Sequence, residues 1–116
     1  MSVESYPKFY KKVQSEMGAY GKANPDIMAG FRMLHEAAGT DGALDAKTKE
    51  LMALAIGIVV RCDGCIAFHV HDALKAGASE EEIVDAIGVA IMMGGGPAVV
   101  YGSAALEALK QFQLDK

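Results

Sequence analysis

Cys62 and Cys65 are the only cysteines in this 116-residue chain, and two of its three histidines, His69 and His71, follow within six residues. Twelve residues before Cys62, Glu50 heads a long apolar run, Leu51 to Val60. The run Cys62-Asp63-Gly64-Cys65-Ile66-Ala67-Phe68-His69 reads as a dithiol/disulfide redox centre. Two thiols in a Cys-x-x-Cys at a helix start lie within disulfide range, and the free N–H groups there stabilise a thiolate. That favours Cys62 as the low-pKa thiol. His69, however, follows Cys65 by four residues and Cys62 by seven, which puts all three on one helix face. An imidazole one turn away can take the Cys65 proton and make it the nucleophile. Position in the motif and proximity of the base favour different sulfurs, and spacing alone leaves both open.

Glu50 is the third element. A straight helix carries it about 18 Å from Cys62. If the next helix folds back antiparallel, His69 returns by about 10 Å toward the level of Glu50, and a long side chain or a water closes the gap. Taken alone, Glu50 is a first-turn carboxylate favoured by the helix dipole. The rival chemistry for this stretch is zinc bound by Cys62, Cys65 and His69 or His71, although structural zinc sites usually draw their ligands from two separated pairs.

The elements that must position these groups read as helices. Phe9, Val13 and Met17 recur at four-residue spacing in a first amphipathic helix from Pro7 to about Tyr20, its end loosened by Gly18 and Gly21. Asn24-Pro25 opens a second, with Asn24 as the expected cap and Ile27, Phe31, Leu34 and Ala38 along one face. His35 on that helix is expected to be structural or interfacial. Asp45 caps a third, apolar almost all round and therefore central, on whose Glu50 side Ala53 and Gly57 allow close approach of a neighbour. A fourth begins around Cys62 to Cys65 and stops at Gly77. Ser79 with Glu82 forms a capping box for a fifth, ending at Met93. Gly94-Gly95-Gly96-Pro97 breaks the chain before a last helix running toward Phe112. No period-two alternation asks for a strand. The fold class is all-α, a bundle of about six helices in a single domain covering residues 1–116.

Composition limits the function classes. Net charge −4 and a pI near 5.3 provide no basic field for nucleic acid or an acidic membrane surface. The longest apolar run is about half of the roughly 20 residues a membrane span requires. The N-terminus lacks a signal-peptide pattern, so a cytoplasmic location is expected, where paired cysteines are more often catalytic or metal-binding than structural. The chain is 52% hydrophobic before its 13 glycines are counted, above the roughly 45–50% that soluble domains reach with glycine included. A small chain this apolar is expected to bury part of its surface against copies of itself, with the seven methionines as core or interface filler.

Glu50-x11-Cys62-x2-Cys65-x3-His69, followed by His71 and the helix start Gly77-Ala78-Ser79-Glu80-Glu81-Glu82, resembles the alkylhydroperoxidase D-like branch of the carboxymuconolactone decarboxylase family over about Lys47 to Gly96. The resemblance implies an all-helical bundle assembled into trimers or hexamers, the hexamer favoured because the chain is shorter than two-repeat members. It implies that Cys65 attacks a hydroperoxide, Cys62 resolves the sulfenic acid to a disulfide, and Glu50 and His69 relay protons. An external dithiol, a lipoyl group or a thioredoxin-like protein, would reopen the disulfide, and no cofactor is implied. Some redox members carry a His where this chain has Gly64, so one relay contact of those members is absent. Two alternatives are a non-redox lactone enzyme of the broader family, which leaves the cysteine pair without a use, and a metal-binding or scaffold oligomer.

Overall fold

The computed structural model describes residues 3–115. It contains six helices: α1 (Tyr6–Ala23), α2 (Pro25–Gly39), α3 (Ala46–Val59), α4 (Asp63–Lys75), α5 (Glu80–Gly94) and α6 (Gly96–Leu114). No strand forms among the described residues, and no helix is long and apolar enough to cross a membrane. The expected element order and the all-α class stand.

Four of the six starts follow from local chemistry. Ser5 Oγ accepts from the Lys8 amide at 3.3 Å and Asp45 Oδ1 from Thr48 at 2.8 Å. The Ser79–Glu82 capping box forms in both directions, at 2.9 and 3.0 Å. Cys62 caps α4 through its own sulfur, which accepts from the Cys65 amide at 3.0 Å. Asn24 departs from expectation. It caps nothing with its side chain, because its amide nitrogen is turned back onto the Tyr20 hydroxyl at 3.3 Å. Gly18 and Gly21 do not end α1 either; at Gly21 a side chain would press on Met28, so the missing Cβ lets α1 and α2 lie close.

Helices α3 to α6 form the bundle, with α3 packed against the other three. Leu54, Ile58, Ile66, Val70, Ile83 and Leu109 are its largest fully buried side chains. Fully burying each such group stabilises by about 1.5–3 kcal/mol. Alanines and glycines set the spacing. A Cβ on Gly102 would meet Ile87 Cγ2 at 2.8 Å, and one on Gly57 would meet Cys65 Cβ at 2.9 Å. The close approach anticipated at Gly57 is therefore the α3–α4 contact itself.

Helix α3 is central as expected, but its apolar run is covered on one side only: Ile56 and the Val60 cap that follows the helix are about 60% exposed. Helix α2 departs further. Its apolar face is present, but none of its residues is buried, and Ile27, Phe31, Met33 and Leu34 face outward. Amphipathic spacing identified the face correctly; nothing within one chain covers it. The described methionines likewise sit outside the core, with Met33, Met92 and Met93 more than 70% exposed.

Candidate active site

The chain turns from α3 into α4 through a Schellman motif. The Arg61 amide donates to Ile58 O at 3.1 Å and the Cys62 amide to Gly57 O at 3.0 Å. This motif requires a left-handed residue after the helix cap, and Arg61 supplies it at φ 61°. For a residue with a Cβ that conformation costs roughly 1–2 kcal/mol. The turn then places Cys62 at the N-cap of α4, facing the free amides of its first turn. Val13 of α1 lies 3.9 Å from where a Cβ of Gly64 would stand, so α1 flanks the motif.

Cys62 and Cys65 are joined as a disulfide, with Cα atoms 5.2 Å apart. Both residues are half-buried and reachable from solvent. One turn beyond Cys65, His69 Nδ1 lies 2.7 Å from Glu50 Oε1, across the α3–α4 contact. Glu50 and His69 are thus joined across the α3–α4 contact, and the reach between them is direct rather than through water. An ionised carboxylate only accepts, so in this pairing Nδ1 carries the proton and Nε2 is left as the basic nitrogen.

Asp72 belongs to the same cluster and was not singled out from sequence. One donor atom from each of Glu50, His69 and Asp72 lies within 4.8 Å of the others. The available signal was its i+3 spacing from His69 on the same helix face. These three are the set that could hold a cation here. The zinc set read from the sequence would need both cysteines as thiolates; in this structure the two sulfurs are bonded to each other and His71 pairs with Asp72.

His71, expected at a surface or interface, is partly exposed and also packs within the chain. Its Nδ1 pairs with Asp72 Oδ1 at 2.9 Å, its ring stacks on Tyr10 at 4.3 Å, and Phe112 meets it edge-on at 5.5 Å. Burial, with the neighbouring Asp72 charge, pushes the Tyr10 phenol above its usual range. Tyr6, at the start of α1, is pushed up to about 12 by burial, with smaller contributions from Asp63, Glu107 and Tyr101. His35 is exposed on α2 beside Phe31, at the edge of a groove of about 770 Å³ that also reaches Tyr10, Phe68 and Asp72.

Residues 25–108 match the model of the carboxymuconolactone decarboxylase family. The chain is 39% identical over 95 residues to a protein of Cupriavidus necator, covering 82% of this chain and 84% of that one. Its fold is similar to that of a carboxymuconolactone decarboxylase family protein from Legionella pneumophila, with TM-score 0.89, 41% identity, and 92% and 96% of the two chains covered. A Thermotoga maritima member, described as "possibly involved in antioxidative response", superposes with TM-score 0.82 at 31% identity, over 90% of each chain. The helical order, the Glu50–His69 pair beside Cys62–Cys65, and these similarities agree: the chain belongs to the carboxymuconolactone decarboxylase family, and its site is consistent with the alkylhydroperoxidase D-like branch.

Proposed function

We propose that the protein is a thiol-dependent peroxidase or disulfide oxidoreductase. The observation that carries this reading is the placement of the Cys62–Cys65 pair at the N-terminus of α4, one turn from a His69 held by Glu50. In the peroxidase direction His69 takes the Cys65 proton, and the Cys65 thiolate attacks the terminal oxygen of a hydroperoxide. The O–O bond breaks, the alcohol leaves with a proton from the relay, and Cys65 is left as a sulfenic acid. Cys62, whose sulfur is held at the helix amides, displaces water from that sulfur and closes the disulfide. An external dithiol, a lipoyl group or a thioredoxin-like protein, is oxidised as it returns both thiols, in keeping with a cytoplasmic setting. The antioxidative description of the Thermotoga maritima relative points the same way.

The test is a thiol count before and after one equivalent of an organic hydroperoxide, starting from the reduced protein. Loss of both thiols in the wild type, and a trappable sulfenic acid when Cys62 is replaced by Ser but not when Cys65 is, is the expected result. Persistence of both thiols would end the peroxidase reading.

The reading includes a homo-oligomer, the hexamer ahead of the trimer. Its support is the outward apolar face of α2 together with exposed Met52 and Ile56 of α3, Val60 just after it, and Met92 and Met93 of α5, more apolar surface than a small monomer usually leaves in water. Sedimentation at several concentrations measures the assembly.

A further inference from the structure

The chain builds the same helix stop twice with different residues. At the end of α4, Gly77 donates to Leu74 O at 3.0 Å and Ala78 to Ala73 O at 2.9 Å, with Gly77 at φ 94°. At the end of α3 the identical bonding pattern is made by Arg61 and Cys62, with Arg61 at φ 61°. Arg61 is the one residue other than glycine at positive φ among the described residues. Glycine is the residue this position favours, and the chain uses it where the stop leads into an ordinary helix start. Where the stop leads directly into the redox pair, it carries an arginine instead.

The arginine's surroundings are those of an available charge. Arg61 is exposed and makes no ion pair among the described residues. Asp63, on the other side of Cys62, lies close enough to Tyr6 of α1 for its charge to act on that phenol. Beyond Cys65, the carboxylates of Glu50 and Asp72 cluster with the imidazole of His69. In chain order the pair therefore stands between Arg61, which adjoins Cys62, and His69 and Asp72, which follow one to two turns beyond Cys65 on α4.

We infer that Arg61 is a specificity-determining residue of the disulfide, favouring thiol and disulfide partners that carry a negative charge, such as a carboxylate, near the reacting sulfur. This rests on the redox reading above. The step it acts on is ordinary exchange. A partner thiolate attacks one sulfur of Cys62–Cys65, forming a mixed disulfide and releasing the other cysteine as thiolate. A second partner thiolate then attacks the mixed disulfide, so that two partner thiols are oxidised to their disulfide and Cys62 and Cys65 are reduced. A guanidinium also suits the carbonyl end of α3, but that role alone would not discriminate between partners by charge.

The experiment measures the rate at which 3-mercaptopropionate, 2-mercaptoethanol and cysteamine open the disulfide in wild type, Arg61→Gly and Arg61→Lys, at low and high salt. Each rate is divided by the 2-mercaptoethanol rate of the same variant, so intrinsic reagent differences cancel between proteins. One charge about 7 Å away in water changes such a rate about threefold. Arg61→Gly is therefore expected to slow the anionic probe and speed the cationic one by about that factor each, while Arg61→Lys keeps the wild-type ratio and salt removes it. Arg61→Gly is also expected to raise Tm by about 4 °C by relieving the backbone, so misfolding does not obscure the result. If Arg61→Gly raises Tm while the charge ratio stays at its wild-type value, Arg61 has no part in selectivity and the inference is overturned. If none of the three probes opens the wild-type disulfide, the redox reading falls and takes the inference with it.

Discussion

Helix α3, apolar almost all round, and helix α2, apolar along one face, put their apolar side chains to opposite uses. In α3, Leu54 and Ile58 are fully buried against α4, α5 and α6, and the close contact at Gly57 brings Glu50 and His69 within hydrogen-bond distance. In α2, Ile27, Phe31 and Leu34 are at least half exposed, and the helix touches little beyond α1 and the edge of α3. Both helices read as apolar in the sequence, α2 along a stripe and α3 almost all round. The sequence reports that a face is apolar, while the number of neighbours the chain can wrap around it decides whether that face becomes core or outward surface. A 116-residue chain has enough helices to enclose α3 but not α2.

The largest expected effect tests this contrast with one substitution made twice. Leu54→Ala removes a fully buried side chain and is expected to cost about 2–5 kcal/mol. Leu34→Ala, at 64% exposure, is expected to change the stability of the dilute chain by less than about 0.5 kcal/mol. At high protein concentration the comparison sharpens, because stability drawn from association depends on concentration. There Leu34→Ala is expected to shift the oligomer distribution toward smaller species. Chemical denaturation across a hundredfold range of concentration reads both. Equal cost of the two variants in dilute solution would show that α2 is as integral to the single chain as α3.

The residues that were legible in the sequence share a property. The Ser79–Glu82 box, the Asp45 cap, the Gly77 stop and the Cys62–Cys65 pairing all depend on neighbours within a few positions, where backbone geometry decides the contact. Glu50 with His69 spans nineteen residues, and it was reached through the resemblance and an assumed antiparallel return rather than from local spacing. What was missed depends on three-dimensional choice. Asn24 had two partners available and took the Tyr20 hydroxyl. His71 points outward in part, as its offset from His69 suggests, but the ring contacts it makes with Tyr10 and Phe112, from opposite ends of the chain, have no local signal. Asp72 acquires its place beside Glu50 only once α3 and α4 have packed.

Tyr6 marks where the α1–α2 arm joins the bundle, and it makes that joint sensitive to alkali. Its backbone amide donates to Gln111 Oε1 of α6 at 2.6 Å, and the residue is 3% exposed. The folded phenol is raised to about 12 against an ordinary 10, chiefly by burial. The unfolded chain therefore releases the proton first as pH rises. The stabilisation is complete below pH 10 and is lost progressively from there to about pH 12. Melting temperature measured from pH 9 to 12 is expected to fall through that window, and Tyr6→Phe to fall less steeply. An equal slope in both would show that the Tyr6 phenol contributes nothing to the alkaline transition.

The smallest expected effects compare the two kinds of helix start. Ser79 accepts from the Glu82 amide, and Glu82, itself held below the usual carboxylate range chiefly by the Ser79 backbone, returns the bond. Ser79→Ala removes a working cap and is expected to cost about 1 kcal/mol. Asn24 occupies the corresponding position before α2 without capping it. Its side chain bonds only the exposed Tyr20 hydroxyl, so Asn24→Ala gives up one solvent-competed hydrogen bond, expected to be worth about 0.5 kcal/mol or less. Sequence alone ranks the two alike, since both residues are favoured caps. A difference of about twofold or more in their denaturation free energies would place the distinction in the local geometry. Equal costs would mean that Asn24 does cap α2 in solution, and that the arm is better anchored at its start than its exposed face suggests.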